Sequence, residues 1–317
     1  MLTAKENLLR AIRHDHPDHV PYIGEGSLRL VDCRGRKPPR SGVDEWGVTW
    51  TPLPDTYQVG AEEPLESYAS AYPASRPAEL LELPFPDGSD PERFVGIMDG
   101  IDQDATLVIG QHPAGPLDMF CSLLGMHSAL SALVCQPDAT LAVMDRIADF
   151  HVGIAKGYLA AGAEAGFIAD DYAGSDGPFL RPATWRSLIL PALRRIMAAY
   201  REAGAPVFFH TCGKSDVFIA DLLDAGANIL NLQTSCCDLR ALKATYGERI
   251  GFYGGIDSQV MMMGSEEAVR AAAGRAIDEL ADGGGLVLGP DQPLCFPAEN
   301  LVAFAEEARL RGKYAGV

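Results

Sequence analysis

His210 and Cys212 are the two residues whose types and spacing point most directly to chemistry. They follow an apolar run, 205–209, which predicts a buried strand of a parallel sheet. Side chains two positions apart on an extended strand project from the same face, so we expect the imidazole and the thiol to lie together. These two groups form half of a tetrahedral zinc site. The alternative is a strand-end histidine that packs under a loop.

Strand and helix patterns alternate from residue 104 onward, without the spacing typical of antiparallel hairpins. They predict helices over 115–132 and 184–203, the second kinked or divided at Pro191, and a helix after the run 205–209 with Ser215 as its N-cap. Six or seven such units predict an α/β fold, a (β/α)8 TIM barrel that includes the whole chain, 1–317, as one domain. One of the eight strands is not evident, and we expect it within the stretch 27–100. A doubly wound sheet is the alternative, but no Gly-x-Gly-x-x-Gly turn follows an early strand.

The N-terminal part of the chain does not follow this alternation. A capping box at Thr3 predicts a short helix over 4–13, and 20–23 predicts a first strand. The stretch 27–100 is irregular and rich in proline, glycine and charge, with a hairpin or strand predicted over 44–50. So long an insertion is usually a lid or wall over a site. The alternative is a peripheral subdomain for oligomer contacts, as in a homodimer.

Composition and charge limit the classes of partner. The chain of 317 residues is 47% hydrophobic and 22% charged, which is typical of an enzyme-sized protein with a substantial core. Its formal net charge of −17 disfavours nucleic acids, anionic membranes and polyanionic substrates. The seven cysteines show no repeating framework. Because no signal peptide or transmembrane helix is evident, we expect a cytoplasmic protein with free thiols.

The carboxyl ends of barrel strands converge, so residues far apart in the sequence can meet there. Adjacent carboxylates push each other's pKa apart, which makes Asp170 and Asp171 candidates for orienting a substrate or handling protons. The alternative is that one of them caps a turn while the other is solvated. The candidates at this face, catalytic or substrate-binding, are His112, Asp170, Asp171, Tyr172, Gln233, Asp257 and Asp291.

Cys295 offers a third soft ligand, in the loop after the last predicted strand. Together with His210 and Cys212, and with an open fourth position, it would make a catalytic zinc site. Cys236 and Cys237 are rival third ligands, although two half-buried cysteines at a helix start are the simpler interpretation. Zinc would hold a substrate thiol deprotonated or polarise an ether oxygen, as methyl transfer requires.

The order and spacing of several motifs resemble the uroporphyrinogen decarboxylase superfamily, within it the corrinoid-dependent methyltransferase branch. The motifs are Lys5-Glu6-Asn7, Asp18-His19-Val20-Pro21, 44–50, 166–171 with Gly177-Pro178, His210-Thr211-Cys212-Gly213, 251–257 and Pro297-Ala298-Glu299-Asn300. The resemblance implies a single (β/α)8 barrel. It also implies that His210 and Cys212 match the family's zinc ligands. Cys295 best matches the distal cysteine, although it lies closer to Pro297 than usual, and Asp291 is nearer to that place.

The implied activity is a zinc-dependent exchange of a methyl group between a small substrate, of methoxy, methylamine or thiol type, and a corrinoid. The chain has no Asp-x-His-x-x-Gly sequence, so we expect the corrinoid on a separate partner protein. The loop 170–172, with Gln233 and Asp257, would position the substrate. The alternatives are a metal-free decarboxylase-like lyase acting on a smaller carboxylic acid and a non-catalytic ligand-binding barrel. Uroporphyrinogen is disfavoured because the first loop offers only Arg29 for its carboxylates.

Overall fold

The computed structural model of the chain describes residues 2–35, 41–52 and 67–314. Strands are numbered in chain order: β1 Leu28–Asp32, β2 Gly42–Val43, β3 Thr49–Pro52, β4 Ser67–Ala71, β5 Leu107–Gln111, β6 Ala165–Ala169, β7 Ala173–Gly174, β8 Gly177–Pro178, β9 Val207–Thr211, β10 Ile229–Leu232, β11 Gly251–Ile256 and β12 Leu286–Pro290. The helices are α1 Ala4–Ile12, α2 Pro77–Leu81, α3 Pro116–Leu124, α4 Met126–Cys135, α5 Pro137–Ala161, α6 Pro182–Leu188, α7 Leu190–Glu202, α8 Ile219–Ala225, α9 Leu239–Tyr246, α10 Ser258–Met263, α11 Glu266–Leu280 and α12 Ala298–Arg311.

A curled parallel sheet of seven strands forms the centre of the fold, in the order β1-β5-β6-β9-β10-β11-β12. Each strand of this sheet lies beside the sheet strand that follows it in the chain, and helices lie in most of the connections, as in part of a (β/α) barrel. The strand predicted within 27–100 is β1, so that expectation is confirmed.

The prediction of a first strand over 20–23 needs correction. In this segment only Tyr22 bridges β12, in parallel, opposite Leu288. Backbone hydrogen bonds from Ile23 N to Leu288 O (2.9 Å) and from Leu288 N to Pro21 O (2.8 Å) hold the segment there. Pro21 has no N–H to donate, so the ladder is short. Among the described strands, the sheet therefore contains seven of the eight predicted.

The inner face of the curled sheet is apolar, and alternate strand residues face it. One buried cluster joins strand residues to Leu8 and Ile12 of α1; its strand members are Leu107, Ile109, Ala165, Phe167, Phe208, Ile229 and Val287. Gly285, just before β12, donates its N–H to the Ala11 carbonyl, so α1 packs at the amino-terminal end of the strands. The opposite end of this interior is left for the functional groups.

The hairpin predicted over 44–50 is present, as the pair β2–β3 of a small antiparallel sheet with β4. Asp44 fixes its turn, because Oδ1 accepts from Trp46 N (2.8 Å) and Val48 N (2.9 Å) and Oδ2 accepts from Trp50 Nε1 (2.7 Å). The Trp46 ring packs edge-on against Phe150 of α5. The small sheet is therefore attached to the helical layer.

Two long helical predictions are divided in the structure. The helix predicted over 115–132 becomes α3 and α4, because the backbone at Gly125 adopts a φ of 78°. The helix predicted over 184–203 divides at Ile189 into α6 and α7, as Pro191 led us to expect. Among the described residues, no single helix is long and apolar enough to cross a membrane. The pair α3 and α4 passes that test together, with a bend of 110° between them.

Of the two predicted helix N-caps, one is observed and one is not. Thr3 caps α1 as predicted, since its Oγ1 accepts from Glu6 N at 3.2 Å. Ser215, which we expected to cap the helix after β9, makes no side-chain cap bond. A turn of 3-10 helix, Asp216–Phe218, precedes α8 instead. This detail affects only the helix behind the site.

Candidate active site

His210 and Cys212 meet at the carboxyl end of β9, as their spacing predicts. His210 lies two residues after Phe208 of the inner cluster. Its Nε2 is 3.2 Å from Cys212 Sγ. The strand thus presents an imidazole nitrogen and a sulfur atom to the same space, which is the arrangement expected from the period of two.

Asn231 on the neighbouring strand β10 fixes the His210 ring. The two residues are in register, and His210 Nδ1 is 2.6 Å from Asn231 Oδ1. The amide is oriented because its Nδ2 donates to the Tyr253 carbonyl. An amide oxygen only accepts, so Nδ1 carries the proton in neutral His210 and Nε2 keeps its lone pair facing Cys212. This type of outer contact sets the tautomer of a metal-binding histidine.

Asp171 adds a third donor group from the loop after β6. Its Oδ1 accepts from Cys212 N at 2.7 Å and lies 3.9 Å from His210 Nε2. One donor atom from each of Asp171, His210 and Cys212 lies within 4.8 Å of the other two, and no other such group occurs in the described ranges. Tetrahedral zinc bonded to nitrogen at about 2.0 Å and to sulfur at about 2.3 Å would separate these atoms by about 3.5 Å. The donor set therefore fits zinc in both chemistry and spacing.

The Cys212 thiol is held in a largely buried position. Gln292 Nε2 donates to its Sγ at 3.2 Å. Burial, and secondarily the charge of Asp171, raise the pKa of Cys212 to about 12. The thiol is therefore protonated at neutral pH until a cation binds beside it, because a bound metal deprotonates a coordinating thiol.

A cavity of about 710 Å³ reaches this cluster at His210. His210 and Asn231 form part of its wall, and most of the remainder is apolar. The lining residues are Ile23, Leu30, Gln111, Phe167, Ala169, His210, Asn231, Tyr253, Met261, Pro290, Asp291, Gln292, Pro293, Leu294, Cys295, Phe296, Leu301 and Phe304. Its volume is that of a typical small-molecule site.

A second cavity of about 420 Å³ lies between the small antiparallel sheet and α3. Trp46, Trp50 and Tyr72 form its wall on one side, and Met119 belongs to the wall from α3. Ala169 lines both cavities, so they adjoin at β6. The small sheet is therefore a wall near the site, which agrees with one of the two roles expected for the insertion.

Cys295 lies on the wall of the larger cavity, exposed, and outside the three-atom cluster. The rival ligands Cys236 and Cys237 also lie outside it, and the buried Cys237 thiol donates to the Gly213 carbonyl at 3.4 Å. The structure thus brings together two of the three predicted ligands and adds Asp171, which we had predicted as a catalytic residue.

Asp170 and Tyr172 lie on the other side of the sheet from the cavity. Asp170 is fully buried and accepts from Leu117 N (3.2 Å), Asp118 N (2.8 Å) and Tyr172 Oη (2.7 Å). Burial is the main cause that raises its pKa to about 7, against the effect of these hydrogen bonds. A Cβ atom on Gly115 would lie only 2.1 Å from the Asp170 Cβ, so the start of α3 approaches this carboxylate closely. Asp170, supported by Tyr172, therefore holds the start of α3 in place.

His112 is also behind the sheet. It is fully buried, with Nδ1 at 2.9 Å from His151 Nδ1 and Nε2 at 2.8 Å from Tyr200 Oη. Burial and the neighbouring His151 lower its pKa well below the usual range. Of the two strand-end residues, it is Gln111 that lines the larger cavity. His112 therefore forms part of the packing between sheet and helices.

The remaining predicted residues stabilise the loops around the cavity. Asp291 is 2% exposed and accepts from Thr234 N (2.8 Å), Thr234 Oγ1 (2.7 Å), Ser258 N (3.0 Å) and Ser258 Oγ (2.6 Å). Gln233 Oε1 accepts from Gly213 N at 3.0 Å. Asp257 caps α10 by accepting from Gln259 N at 2.8 Å.

The match to known proteins agrees with this geometry. The family model of uroporphyrinogen decarboxylase (URO-D) matches residues 96–310. The chain belongs to the URO-D family. The prediction of this family, and of an enzyme, is thus confirmed.

Proteins similar to this URO-D family member include a methyltransferase and a decarboxylase. Methylcobamide:CoM methyltransferase MtaA of Methanosarcina barkeri is 26% identical over 248 residues, covering 74% of this chain and 68% of MtaA. Uroporphyrinogen decarboxylase of Syntrophotalea carbinolica is 28% identical over 229 residues, covering 65% of this chain and 64% of that protein. A solved methyltransferase from Methanosarcina mazei shares the fold, with a TM-score of 0.68, 19% identity and coverage of 98% and 99% of the two chains.

Three residues of the site in this family member were not predicted: Asn231, Gln292 and Tyr253. Asn231 is a polar residue inside an apolar strand, 229–232, which is a usable signal. Its pairing with His210 depends on the register between β9 and β10, which the sequence does not give. Gln292 follows Asp291 in a loop without periodicity, and no pattern in the sequence indicates its contact with Cys212.

Proposed function

We propose that this URO-D family member transfers a methyl group between a small substrate and a corrinoid carried on a separate protein, at a zinc ion bound by Asp171, His210 and Cys212. The observation that carries the proposal is the convergence of the three donor atoms at the carboxyl end of β6 and β9. The methyl carrier is supported by a relative whose name states a reaction between methylcobamide and CoM.

The protein's own groups have defined tasks in this proposal. Zinc, when bound, supplies a Lewis acid that activates a thiol or polarises an ether oxygen. Asn231 orients His210, and Asp171 connects the loop after β6 to the Cys212 backbone through a 2.7 Å hydrogen bond. Gln292 directs an N–H to the Cys212 sulfur. The apolar walls exclude water from the reacting groups, which strengthens every electrostatic interaction there.

The choice of Asp171 as third ligand rests on its position in the cluster. Cys295 lies on the same cavity wall and stays a predicted alternative, which requires the loop 291–297 to move toward His210. Asp291 is a weaker alternative, because all four of its hydrogen-bond donors would have to be released or shared.

Decarboxylation of a polycarboxylate is disfavoured by the cavity. None of its described lining residues is an arginine or a lysine. A buried carboxylate without a cationic partner is costly, and the net charge of −17 adds repulsion at long range. A lyase that acts on a smaller acid meets the same difficulty.

The organisation that we propose is a closed (β/α)8 barrel formed by one domain, 1–317, in the cytoplasm. The parallel bridge between Tyr22 and Leu288 supports closure, because it lies at the edge of the sheet formed by β12, opposite the edge formed by β1. The partners are then a small methyl donor or acceptor and the corrinoid protein, with no nucleic acid or membrane and with a homodimer left open.

Methyl transfer and zinc content test the proposal together. The full chain, purified under reducing conditions, is mixed with free cob(I)alamin and a methyl donor, or with methylcobalamin and a thiol, and the cobalamin spectrum is recorded. We expect conversion by wild type with about one zinc per chain, and loss of both in Cys212→Ala. Cys135→Ala, at an exposed position on α4, is the matched control and should retain both.

The contrary result is zinc-free wild type that remains inactive after zinc is added back to reduced protein. That outcome would exclude the proposed function, because the donor cluster would then fail to support zinc-dependent methyl transfer. Conversion that survives Cys212→Ala without metal would contradict the role of the cluster and leave methyl transfer to other groups.

A further inference from the structure

We propose that the larger cavity binds an uncharged aromatic methyl ether, with its methoxy group beside Asp171, His210 and Cys212. The inference rests on the proposed function and adds the substrate class. It is drawn from the walls of the cavity, from the distribution of charge around it and from two neutral polar groups that face it.

The walls favour a flat apolar molecule. Aromatic side chains from β6, β11 and the last loop and helix line the cavity: Phe167, Tyr253, Phe296 and Phe304. The rings of Phe167 and Tyr253 meet at 76° with centroids 6.2 Å apart, an edge-to-face contact that keeps both in place. An aromatic ligand gains dispersion and quadrupole contacts from such walls, beyond the area that it buries.

The charge distribution disfavours ions of either sign. The described lining residues include no arginine or lysine, so an anion would lose hydration without a partner. A cation would also lack a free carboxylate, because Asp291 is occupied by four hydrogen bonds. Asp171 is hydrogen-bonded to Cys212 N and is one of the proposed metal ligands. An uncharged ligand avoids both costs.

Two neutral side chains offer hydrogen bonds to such a ligand. Within the described part of the chain, neither the Tyr253 hydroxyl nor the Gln111 side-chain amide has a hydrogen-bond partner, and both residues line the cavity. Burial raises the pKa of Tyr253 to about 12, so the hydroxyl remains a neutral donor at physiological pH. A few such groups in an apolar cavity are what orients an uncharged ligand.

Demethylation of an aromatic methyl ether is balanced when the corrinoid of the proposed partner protein accepts the methyl group. The methyl–oxygen bond of the ether breaks, and a methyl–cobalt bond forms on a reduced corrinoid of the partner protein. Cobalt supplies the electron pair and passes from the Co(I) to the Co(III) state. The oxygen keeps the pair of the broken bond and takes up a proton, which gives a phenol.

A matched set of three ligands tests the inference by calorimetric binding to the zinc-loaded full chain, without corrinoid. The compounds are 4-methoxybenzyl alcohol, 4-methoxybenzoate and 4-methoxybenzylamine, which share one skeleton and are neutral, anionic and cationic at neutral pH. We expect the alcohol to bind at least about tenfold more tightly than either ion, because only the ions lose hydration without a partner. Tyr253→Phe should weaken alcohol binding by about fivefold.

A charge variant sharpens the test. Leu294 lines the cavity but is 42% exposed, so Leu294→Arg places a cation at the wall without disrupting a buried core. We expect it to improve 4-methoxybenzoate binding by about tenfold. Leu310→Arg, at a 74% exposed position of α12, makes the same change in net charge and should leave the three affinities unchanged.

Two binding results would overturn the inference: either ion binding as tightly as the alcohol in wild type, or no binding of any of the three. Its failure is separable from that of methyl transfer. If the alcohol is preferred but no methyl group reaches cob(I)alamin, the proposed function fails while the selectivity of the cavity stands. If transfer proceeds best from the anionic donor, the proposed function stands and the substrate class is wrong.

Discussion

Asp170 and Asp171 are neighbours in the chain, yet they belong to different regions of the molecule. Asp170 faces the helices, fully buried, and accepts three hydrogen bonds at the start of α3. Asp171 has a partly exposed carboxylate that lies beside His210 and Cys212. The backbone of Asp170 continues the pairing of β6 with β9, since its N–H donates to the His210 carbonyl. One step along a strand therefore separates a structural carboxylate from a candidate ligand.

The same contrast holds at β5. Gln111 lines the cavity, whereas the next residue, His112, is buried with His151 and Tyr200 behind the sheet. In both pairs the residue that continues the inner face of the strand reaches the site. Residue type alone is thus a poor guide at a strand end, because the face of the strand decides which side chain meets the ligand.

Replacing each of the two carboxylates by alanine should produce the largest difference in the free energy of unfolding. Asp170→Ala leaves the N–H groups of Leu117 and Asp118 and a buried tyrosine hydroxyl without their acceptor, so we expect a loss of about 3 kcal/mol or more in the free energy of unfolding. Asp171→Ala should cost about 1 kcal/mol, since one hydrogen bond is removed at a partly exposed site. Urea denaturation measures both. Equal losses in the two variants would contradict the assignment of separate regions.

Zinc affinity should depend on Asp171 and on Asn231, which orients His210. We expect Asp171→Ala to weaken zinc binding by at least about a hundredfold, because loss of a ligand exceeds the 10–100-fold typical of outer contacts. Asn231→Leu, which removes such an outer contact from His210, should weaken it by about 10–100-fold, with partial recovery in Asn231→Asp. Competition with a chromophoric chelator gives these values. An unchanged affinity in Asn231→Leu would show that the His210 tautomer is set elsewhere.

The pH dependence of stability should report the buried carboxyl group of Asp170. The pKa of Asp170 is raised to about 7 in the folded chain from an ordinary value of 3.8. Its contribution to stability is therefore fully present below the unfolded value and is lost as pH rises through the folded value. The stability of wild type relative to Asp170→Asn should fall between pH 4 and pH 8, by at most about 1.4 kcal/mol per pH unit. A constant difference over this range would contradict the raised pKa.

The smallest effect is expected at Cys295. If Asp171 is the third ligand, Cys295→Ser should change zinc affinity by less than about threefold, because the thiol lies outside the donor cluster. The measurement is the same chelator competition, with Cys135→Ser as the matched exposed control. Loss of zinc in Cys295→Ser alone would restore the predicted set of two cysteines and one histidine.

The parts of the site that could be predicted are those fixed by local spacing. His210 and Cys212 are two residues apart at the end of an apolar strand, which is enough to bring their side chains together. Local spacing does not tell which of Asp170 and Asp171, or which of Gln111 and His112, reaches the site. Strands of a parallel sheet are buried on both faces and read as continuous apolar runs, so the sequence does not mark the inner face.

Fold predictions succeeded and failed for similar reasons. The alternation of strands and helices predicted the parallel sheet, and the aromatic segment 44–50 predicted the hairpin. The first strand was overpredicted because Pro21 limits pairing, and one helix was overextended through Gly125. Contacts between distant elements, such as Gln292 with Cys212, depend on tertiary packing. No local pattern encodes them.

Ala169 lines both cavities, and its side chain is a single methyl group. The boundary between the space beside His210 and the space under the small sheet therefore depends on the smallest chiral side chain. A glycine at this position would widen both spaces, and a larger residue would narrow both. The length of ligand that the protein accommodates can thus change through one substitution on β6, without any change in the donor cluster.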